Sequence, residues 1–530
     1  MVPLACGERV VSFGEAPISV ASTGTPPTSE PPTRVATSGV IVCADPAQRS
    51  IRPFEIRSHT TIPPGPEAWI WGGAALVGDF DGDGDHDVGA PAEGFMGAYQ
   101  NVDGSAFPNT EVFLGLDLTF GSAATVVDYD GDADFDILLA RFDRPTALLR
   151  NDGVGVFVDV AAEAGIATTC PAQTTSWADY DRDGDLDLFI GCTGAAPYYA
   201  STNLEPGQPK ALYANLGDGT FRDDSAMLPQ AAHDAYTYAG GFHDLDRDGW
   251  ADLFLVNDYG ALGGNVVLVN RGGVFAQSVG MGLDVVVAGT GLGAGDINED
   301  GIPDFLVPDW RDLRLLISKA GVWADGSEAR HLTVDADRDQ TTAWGAEMVD
   351  LDNDGDLDAL VNYGFTSILD PDPRNTTEQP DAAYVQQADG SFIDLAPSWG
   401  IADLGTNRGL VAAELNGDGF PDVIKRDLDG PDVLYLSACD ASGWLRIRLH
   451  APGLNRHAVG AVVTVSVGDR RWTRDILAGG TSYASAGPPE AHLGLGDIDQ
   501  VDVIEVRWPD GAVTTTRDVL SRQVVDITRE

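Results

Sequence analysis

The stretch GDFDGDGDHD, residues 78–87, carries an aspartate at every second position from 79 to 87. Carboxylates this close repel one another by about 1 kcal/mol per pair even in water. One explanation is a solvated acidic loop without further chemistry. The other is a cage of oxygen ligands for a hard cation such as calcium, whose charge would cancel the repulsion.

The acidic stretch recurs: seven copies of the pattern D-x-D-x-D-G-x-x-D follow one another at intervals of 49 to 65 residues, and we call them aspartate loops 1 to 7. Positions 1, 3, 5 and 9 carry oxygen side chains, position 7 offers its backbone carbonyl, and glycine at position 6 permits a tight turn with positive φ. The predicted ligands, for up to seven calcium ions, are Asp79, Asp81, Asp83 and Asp87 in loop 1, Asp128, Asp130, Asp132 and Asp136 in loop 2, Asp179, Asp181, Asp183 and Asp187 in loop 3, Asp244, Asp246, Asp248 and Asp252 in loop 4, Asp296, Asn298, Asp300 and Asp304 in loop 5, Asp350, Asp352, Asp354 and Asp358 in loop 6, and Glu414, Asn416, Asp418 and Asp422 in loop 7.

Loops 2, 5 and 7 depart from this pattern. Ala133 replaces the turn glycine of loop 2, which predicts strain there. Asn298 and Asn416 replace aspartates at position 3, and Glu414 replaces the aspartate at position 1 of loop 7. Each asparagine removes a charge and is expected to weaken its site without abolishing it. EF-hands are excluded, because they need a glutamate at position 12 between two helices, and position 12 here is mostly an apolar strand residue.

The sequence around each loop predicts short strands. A small-residue strand such as GGAALVG precedes the loop, and an apolar strand such as LFLVN follows it. Turns such as RNDG, flanked by alternating apolar residues, then predict a hairpin. Each unit amounts to about four strands, the content of one propeller blade. The predicted fold is all-β, with a seven-bladed β-propeller over residues 55–438 and a β-solenoid as the alternative.

The aspartate loops resemble FG-GAP/VCBS repeats, the blades of integrin-α-type propellers. This resemblance implies an integrin-α-like propeller that binds calcium at the matching positions of its loops. Residues 439–530 carry no such loop and resemble an ASPIC/UnbV domain in NRHAVGA, HLGLG and VRWPDG, which predicts a small β-sandwich-like domain. The combination is similar to the cartilage acidic protein family and its bacterial relatives. It implies an extracellular or cell-surface location and no particular reaction.

The charge of the chain limits its partners. With 82 acidic against 32 basic residues, the net charge of −50 excludes nucleic-acid binding and disfavours an anionic membrane surface. No stretch approaches the roughly 18 apolar residues of a membrane span. Residues 1–54 are predicted to be a leader and a disordered Pro/Ser/Thr-rich tether. Within it, PLACG resembles the end of a lipoprotein signal, which implies a lipid anchor at Cys6 and an outer-membrane lipoprotein; the alternative is an ordinary disordered start.

The cysteines form no CxxC motif, so zinc and redox sites are not expected. If Cys6 is lipidated, four cysteines remain, which is enough for two disulfides. Cys170 and Cys192 flank one strand–loop–strand segment and are the best candidate pair. The alternative is a set of buried free thiols.

Functional predictions start from insertions at 193–210 and 366–384, in the loop that follows the apolar strand. They are expected on the face opposite the aspartate loops, either as decoration or as a binding surface. The predicted function is an extracellular adhesion or ligand-binding module for an unidentified protein or polysaccharide. The alternatives are a calcium-assisted polysaccharide lyase or hydrolase and a structural spacer; without HExxH, GxSxG or a histidine triad spacing, we expect no enzyme. The contact candidates are Tyr198, Tyr199, Asp370 and Arg374, and Trp444, Trp472, Tyr483, Arg507 and Trp508 form either a second patch or core.

Overall fold

The structure is a computed structural model. It describes residues 33–43, 54–56, 73–92, 95–102, 104, 107, 109–110, 116, 121–141, 144–153, 155–194, 207–258, 263–310, 312–334, 341–364, 378–428 and 432–530. The predicted contact residues in the two insertions, Cys6, and residues 23–32 of the tether lie outside these ranges. Within them, no helix is both long and apolar enough to cross a membrane.

The chain enters the described part with β1 (Thr33–Thr37) and β2 (Phe54–Ile56), and then forms a succession of antiparallel sheets. Sheets 1 to 4 contain β3 (Leu76–Gly78), β4 (Asp87–Ala92), β5 (Phe95–Tyr99) and β6 (Asn109–Thr110); β7 (Gly121–Val127), β8 (Asp136–Arg141), β9 (Ala147–Asn151) and β10 (Phe157–Asp159); β11 (Ala172–Ala178), β12 (Asp187–Cys192), β13 (Ala211–Asn215) and β14 (Phe221–Asp223); and β15 (Thr237–His243), β16 (Asp252–Asn257), β17 (Val266–Asn270) and β18 (Phe275–Ser278).

Three further sheets continue the succession. Sheets 5 to 7 contain β19 (Gly293–Gly295), β20 (Asp304–Asp309), β21 (Asp312–Lys319) and β22 (Val322–Asp325); β23 (Ala343–Val349), β24 (Asp358–Tyr363), β26 (Ala382–Gln386) and β27 (Phe392–Asp394); and β29 (Asn407–Ala413), β30 (Asp422–Asp427), β31 (Val433–Ser437) and the early strand β2. A two-stranded pair joins β25 (Gln379–Pro380) to β28 (Leu404–Gly405), and the helices are α1 (Ala161–Ala164), α2 (Gln230–Asp234), α3 (Ala396–Trp399) and a 3₁₀ turn (Ser225–Met227).

The composition of the strands explains how the sheets stack. First strands such as β7 (GSAATVV) and second strands such as β12 (DLFIGC) are buried along their whole length, because both faces of a sheet lie against neighbouring sheets. Rings also meet between sheets, as where Phe254 and Phe305 lie 4.9 Å apart. The prediction of an all-β, propeller-like region is confirmed. The count of seven blades in a closed ring stays a prediction.

The C-terminal domain is a sandwich of two four-stranded sheets, which confirms the predicted class. One sheet has the order β1, β39, β32, β36, and the other has the order β34, β33, β37, β38. Its strands are β32 (Gly443–His450), β33 (Val462–Val467), β34 (Arg470–Asp475), β35 (Ala478–Gly479), β36 (Ala491–Gly496), β37 (Gln500–Arg507), β38 (Val513–Leu520) and β39 (Gln523–Arg529).

The idea of a binding patch on this domain is wrong. Trp444, Trp472 and Trp508 are at most 2% exposed, since Trp472 and Trp508 fill the sandwich core and Trp444 lies against sheet 7. Arg507 donates to Asp244 of the propeller, and Tyr483 is fully buried. Of the two alternatives, a binding patch or core residues, the structure supports core packing for the aromatic residues.

Early residues are joined to late ones. Strand β2 pairs with β31 and so completes sheet 7, while β1 pairs with β39 in the sandwich. Disulfides link Cys43 to Cys439 and Cys170 to Cys192, and the second is the predicted pair. Part of the predicted leader is thus attached to the C-terminal domain; the predicted domain boundaries themselves stay predictions.

A segment of the C-terminal domain, residues 478–486, inserts among the first strands of the propeller. Strand β35 pairs with β11, and Ser482 exchanges backbone hydrogen bonds with Leu292 of sheet 5. The Ser482 hydroxyl donates to the carbonyl of Leu410 in sheet 7, and the Tyr483 hydroxyl donates to Gln173. We call residues 478–486 the central segment. It ties the two domains together through buried contacts rather than through a flexible linker.

Candidate metal centres in the aspartate loops

Each aspartate loop joins the first strand of a sheet to the second. The position 9 aspartate is always the first residue of the second strand, as Asp187 is in β12. In loop 3 its two carboxylate oxygens accept the amides of Tyr180 and Asn215, each at 2.9 Å. The start of a buried strand therefore fixes one candidate ligand, and the loop brings the other candidate ligands around it.

Backbone amides curl the loop inward. In loop 3 the amide of Gly184 donates to Asp179 at 3.0 Å, and the amide of Asp185 donates to Asp183 at 3.1 Å. The same bonds recur in other loops, including the bond from Ala133 to Asp128 at 3.1 Å. Ala133 has a φ of 85°, as the strain expected at this position requires. Alternate side chains therefore converge on the inside of the loop.

Five loops bring three carboxylates within 4.8 Å of one another. Loops 1, 2, 3 and 6 do so with positions 1, 3 and 9, and loop 4 does so with positions 1, 3 and 5. Within the residues that the structure describes, loops 5 and 7 form no such trio; these are the loops with asparagine at position 3. The trios are Asp79, Asp81 and Asp87; Asp128, Asp130 and Asp136; Asp179, Asp181 and Asp187; Asp244, Asp246 and Asp248; and Asp350, Asp352 and Asp358.

Three of these trios contain a carboxylate oxygen that is buried and has no hydrogen-bond donor. The oxygens are Oδ1 of Asp130, Asp179 and Asp244. A buried carboxylate oxygen without a partner is unfavourable unless a cation meets it. These residues therefore fit a metal ion, and an all-oxygen donor set suits calcium, magnesium or manganese.

Burial disfavours the ionised form of the carboxylates in the trios. In the polypeptide alone, burial raises the pKa of Asp187 to about 9 and the pKa of Asp350 to about 8. It raises the pKa of Asp87, Asp128 and Asp179 to about 7. Neighbouring aspartates add repulsion in each case. A divalent cation would displace protons from such groups and be bound more tightly as pH rises.

Asparagines on the third strands hold neighbouring sheets together. Asn215 Nδ2 donates to the carbonyl of Tyr129 in loop 2 at 3.1 Å, and Asn270 Nδ2 donates to Tyr180 in loop 3 at 2.7 Å. From the sequence, such asparagines are predicted only as turn residues. Their distance from the loop varies, and Ser318, Gln386 and Ser437 take the equivalent place after loops 5, 6 and 7, so the sequence offered no regular signal for this role.

The C-terminal domain lies on the face of the propeller that carries the aspartate loops. Arg247 of loop 4 pairs with Asp475 at 2.6 Å, and Arg507 donates to Asp244 at 3.1 Å. His492 meets Asn353 of loop 6 at 2.8 Å. The loops are therefore both candidate metal centres and the docking surface of the second domain.

Comparison with known families agrees with this division. A model described as FG-GAP-like repeat matches residues 102–190 and 244–307, and one described as ASPIC and UnbV matches residues 451–530. The chain carries FG-GAP-like repeats and a C-terminal ASPIC/UnbV domain. The residues matched to the FG-GAP-like repeat contain aspartate loops 2 to 5, and those matched to ASPIC and UnbV make up most of the sandwich domain.

Curated relatives have the same name in several animals. The chain is 25% identical over 383 residues to cartilage acidic protein 1 of Mus musculus, which covers 69% of this chain and 56% of the relative. It is 25% identical over 388 residues to the Homo sapiens protein, covering 69% and 54%. The chain thus spans little more than half the length of these relatives.

Solved structures with a similar fold are more distant. They include an Agrocybe aegerita lectin that recognises non-reducing terminal N-acetylglucosamine, with a TM-score of 0.39, 16% identity, and coverage of 68% of this chain and 87% of that one. A Bacillus licheniformis rhamnogalacturonan lyase gives a TM-score of 0.40, 14% identity, and coverage of 74% and 76%. Similarities this weak do not indicate a ligand.

Proposed function

We propose that this chain is an extracellular calcium-binding propeller protein that acts as a ligand-binding or adhesion module at a cell surface or in a matrix. The observation that carries the proposal is the set of buried, donor-less oxygens of Asp130, Asp179 and Asp244 inside converging carboxylate trios. Calcium accepts the irregular, all-oxygen coordination of such loops more readily than magnesium does.

The charge distribution supports the same location. Residues 55–438 contain 66 acidic and 18 basic residues, whereas residues 439–530 contain 12 and 10. Outside cells, calcium modules bind with dissociation constants of about 10⁻⁴ to 10⁻³ M, so occupancy requires an environment rich in calcium. The similarity to cartilage acidic protein 1 agrees with this. A lipid anchor at Cys6 would hold such a protein at an outer membrane.

The ligand-binding face is proposed to be the one opposite the aspartate loops. The C-terminal domain covers the loop face, and both insertions begin after a second strand, β12 or β24, at the other end of the sheets. Tyr198, Tyr199, Asp370 and Arg374 belong to these insertions. Binding without catalysis is the proposed activity.

Calcium binding is tested by titration calorimetry on the decalcified full-length chain. Asp181→Asn removes one charge from a complete trio and is expected to weaken or abolish one site. Asp218→Asn changes an exposed aspartate in the neighbouring hairpin and is the matched control. Heat of binding that is absent in the wild-type chain, or unchanged in Asp181→Asn, would contradict the calcium assignment.

Ligand binding is tested by retention and cleavage assays on a panel of polysaccharides and matrix proteins, in calcium and in chelator. Retention without product, lost in chelator, is the expected result. Release of product would instead support the calcium-assisted lyase or hydrolase. Absence of retention on every member of the panel would favour a structural spacer.

A further inference from the structure

Loop 7 differs from the other aspartate loops in charge and in surroundings. It contains Glu414 at position 1 and Asn416 at position 3, and it lies beneath strand β32 of the C-terminal domain. The ring of Trp444 packs directly on Gly419, the turn glycine of this loop. Loop 7 is therefore closed off by the second domain.

The longer side chain of Glu414 divides its two oxygens between different partners. Its Oε1 accepts the loop amides of Gly417 at 2.5 Å and Asp418 at 3.1 Å. Its Oε2 points away from the loop and accepts a hydrogen bond from Arg446 Nη1 at 3.3 Å. In loop 3, the corresponding Asp179 accepts an amide with Oδ2 and leaves Oδ1 without a donor. The Oε2 atom of Glu414 corresponds to the oxygen of Asp179 that lacks a donor in loop 3. The extra methylene of Glu414 brings this atom to a guanidinium.

Asn416 presents a donor where a metal site needs an acceptor. Its Oδ1 accepts the amide of Asp418 at 2.9 Å, and its Nδ2 donates to the carbonyl of Ser437 at 3.2 Å. These two partners fix the orientation of the amide, because a carbonyl cannot accept from another carbonyl. The nitrogen consequently lies 3.4 Å from Asp422 Oδ1. Position 3 of loop 7 therefore turns an N–H group toward the loop, where an aspartate would offer a second carboxylate oxygen.

Arg446 is held in place by three groups. It is 7% exposed, and its Nε lies 2.7 Å from Glu490 Oε1. Its Nη2 lies 3.0 Å from Nε2 of His86. Its Nη1 lies 3.3 Å from Glu414 Oε2, and an arginine side chain does not lose its proton in a protein. The guanidinium is a permanent cation at this position.

We propose that loop 7 is not a calcium site, and that the Arg446 guanidinium of the C-terminal domain supplies its positive charge and docks the domain without metal. A calcium ion on Glu414 would lie about 2.4 Å from a carboxylate oxygen that already meets this fixed cation, and the two charges would repel. The same guanidinium also pairs with Glu490, so that one buried cation serves Glu414 and Glu490 together. The proposal deepens the proposed function, on which its contrast with the other loops rests.

The first test counts calcium ions. Asp183 and Asp418 both occupy position 5, in loops 3 and 7, so Asp183→Asn and Asp418→Asn form a matched pair. Titration calorimetry on the full-length chain is expected to show one calcium ion fewer, or one weakened site, in Asp183→Asn. Asp418→Asn is expected to keep the wild-type number and affinity. Loss of one ion in Asp418→Asn overturns the proposal.

The second test measures hydrogen exchange at the amides of Gly417 and Asp418, in calcium and in chelator. Arg446→Gln is expected to raise exchange by about tenfold or more in both conditions, because it leaves Glu414 and Glu490 buried without their cation. The control is Arg448→Gln. Arg448 lies on the same strand but pairs with Asp526 of its own domain, so this substitution should not change hydrogen exchange at Gly417 and Asp418.

Exchange that is unchanged in Arg446→Gln, or restored by calcium, overturns the proposal. This measurement does not require any other loop to bind metal. If the wild-type chain binds no calcium at all, the proposed function fails, and the exchange result still decides the role of Arg446.

Discussion

Loops 3 and 7 are equivalent connections in their sheets, but the negative charge of their carboxylates is balanced in different ways. Loop 3 has an aspartate at all four predicted ligand positions, one with a buried oxygen that lacks a donor, and burial raises the pKa of its Asp187 to about 9. Loop 7 has three acids, and its Glu414 meets a buried arginine from another domain. On the proposals above, loop 3 takes its cation from solution, and loop 7 has its cation within the chain. The two halves of the docking surface should therefore respond differently to calcium.

Calcium removal is expected to have the largest effect. With a dissociation constant near 0.1 mM and about 1 mM calcium, each occupied site adds about 1.4 kcal/mol to the free energy of unfolding. The five carboxylate trios would together add about 7 kcal/mol, so chelation should lower Tm by about 10–20 °C. Scanning calorimetry measures this shift. In chelator, amide hydrogen exchange should rise at loop 3 before it rises at loop 7. An unchanged Tm would contradict the proposed difference between the two loops in their need for calcium.

The next largest effect concerns the two turn glycines at position 6. Gly419→Ala would place a Cβ into the Trp444 ring, whereas a Cβ at Gly184 meets no atom within 4 Å. Both positions have positive φ, so each substitution costs about 1 kcal/mol in strain. We expect Gly419→Ala to lower the free energy of unfolding by about 3–5 kcal/mol because the domain must shift. Urea unfolding in calcium measures both, and equal effects would contradict the packing described here.

Glu347 is a third case of a buried carboxyl group, which differs from loops 3 and 7 in that it keeps its proton. It lines a cavity of about 180 Å³ beneath the C-terminal domain, and burial raises its pKa to about 8. Its one hydrogen bond among those described comes from the Ala412 amide at 2.5 Å. Other charged or titratable groups lining the cavity are Arg247, Asp296, Asp350, Arg474, Asp475, Glu490 and His492.

Glu347 should make stability fall as pH rises. Its folded pKa lies above the unfolded value of about 4.3, so the unfolded chain loses this proton first as pH rises from about 4 to about 8. Glu347→Gln should remove this fall and raise the free energy of unfolding at pH 8 by about 3 kcal/mol, with little change near pH 4. Urea unfolding in saturating calcium at both pH values tests this. A variant that is equally destabilised at both would show that Glu347 is ionised when folded.

The smallest expected effect concerns the third strands of sheets 3 and 7, where Asn215 and Ser437 occupy equivalent places. Asn215 links sheet 3 to loop 2, whereas the hydroxyl of Ser437, at the same place in sheet 7, donates only to Phe420 and Asp422 in the described hydrogen bonds. Asn215→Ala should therefore cost about 1–2 kcal/mol and Ser437→Ala about 0.5–1 kcal/mol. Thermal unfolding in calcium measures the difference. A larger cost for Ser437→Ala would show that the link between sheets is not what matters.

Repetition made the repeats and their loops predictable. A period of 49 to 65 residues, with an aspartate pattern between a small-residue strand and an apolar strand, predicted the first two strands of each sheet and the candidate ligands between them. The position 9 aspartates could be assigned because a strand begins there. Where an asparagine broke the pattern, as at Asn416, the sequence indicated only a weaker site.

Long-range contacts could not be predicted in this way. Nothing in the local pattern around Arg446 indicates that its partner is Glu414, because two domains must first pack together. The central segment, AGGTSYASA, has no strand alternation and consists mostly of small residues, which fit closely among buried strands only once the sheets surround them. The aromatic residues of the tail were ambiguous for the same reason.

The pairing of β2 with β31 and of β1 with β39 has a consequence for the order of folding. Strands β1 and β2 find these partners only after several hundred further residues have been made. Cys43 likewise waits for Cys439, 396 residues later. Closing such long loops is slow, because their entropy must be lost before the contacts form. Early sheets can assemble during synthesis, but sheet 7 is completed only after β31 has been made, and the sandwich only after β39 has been made.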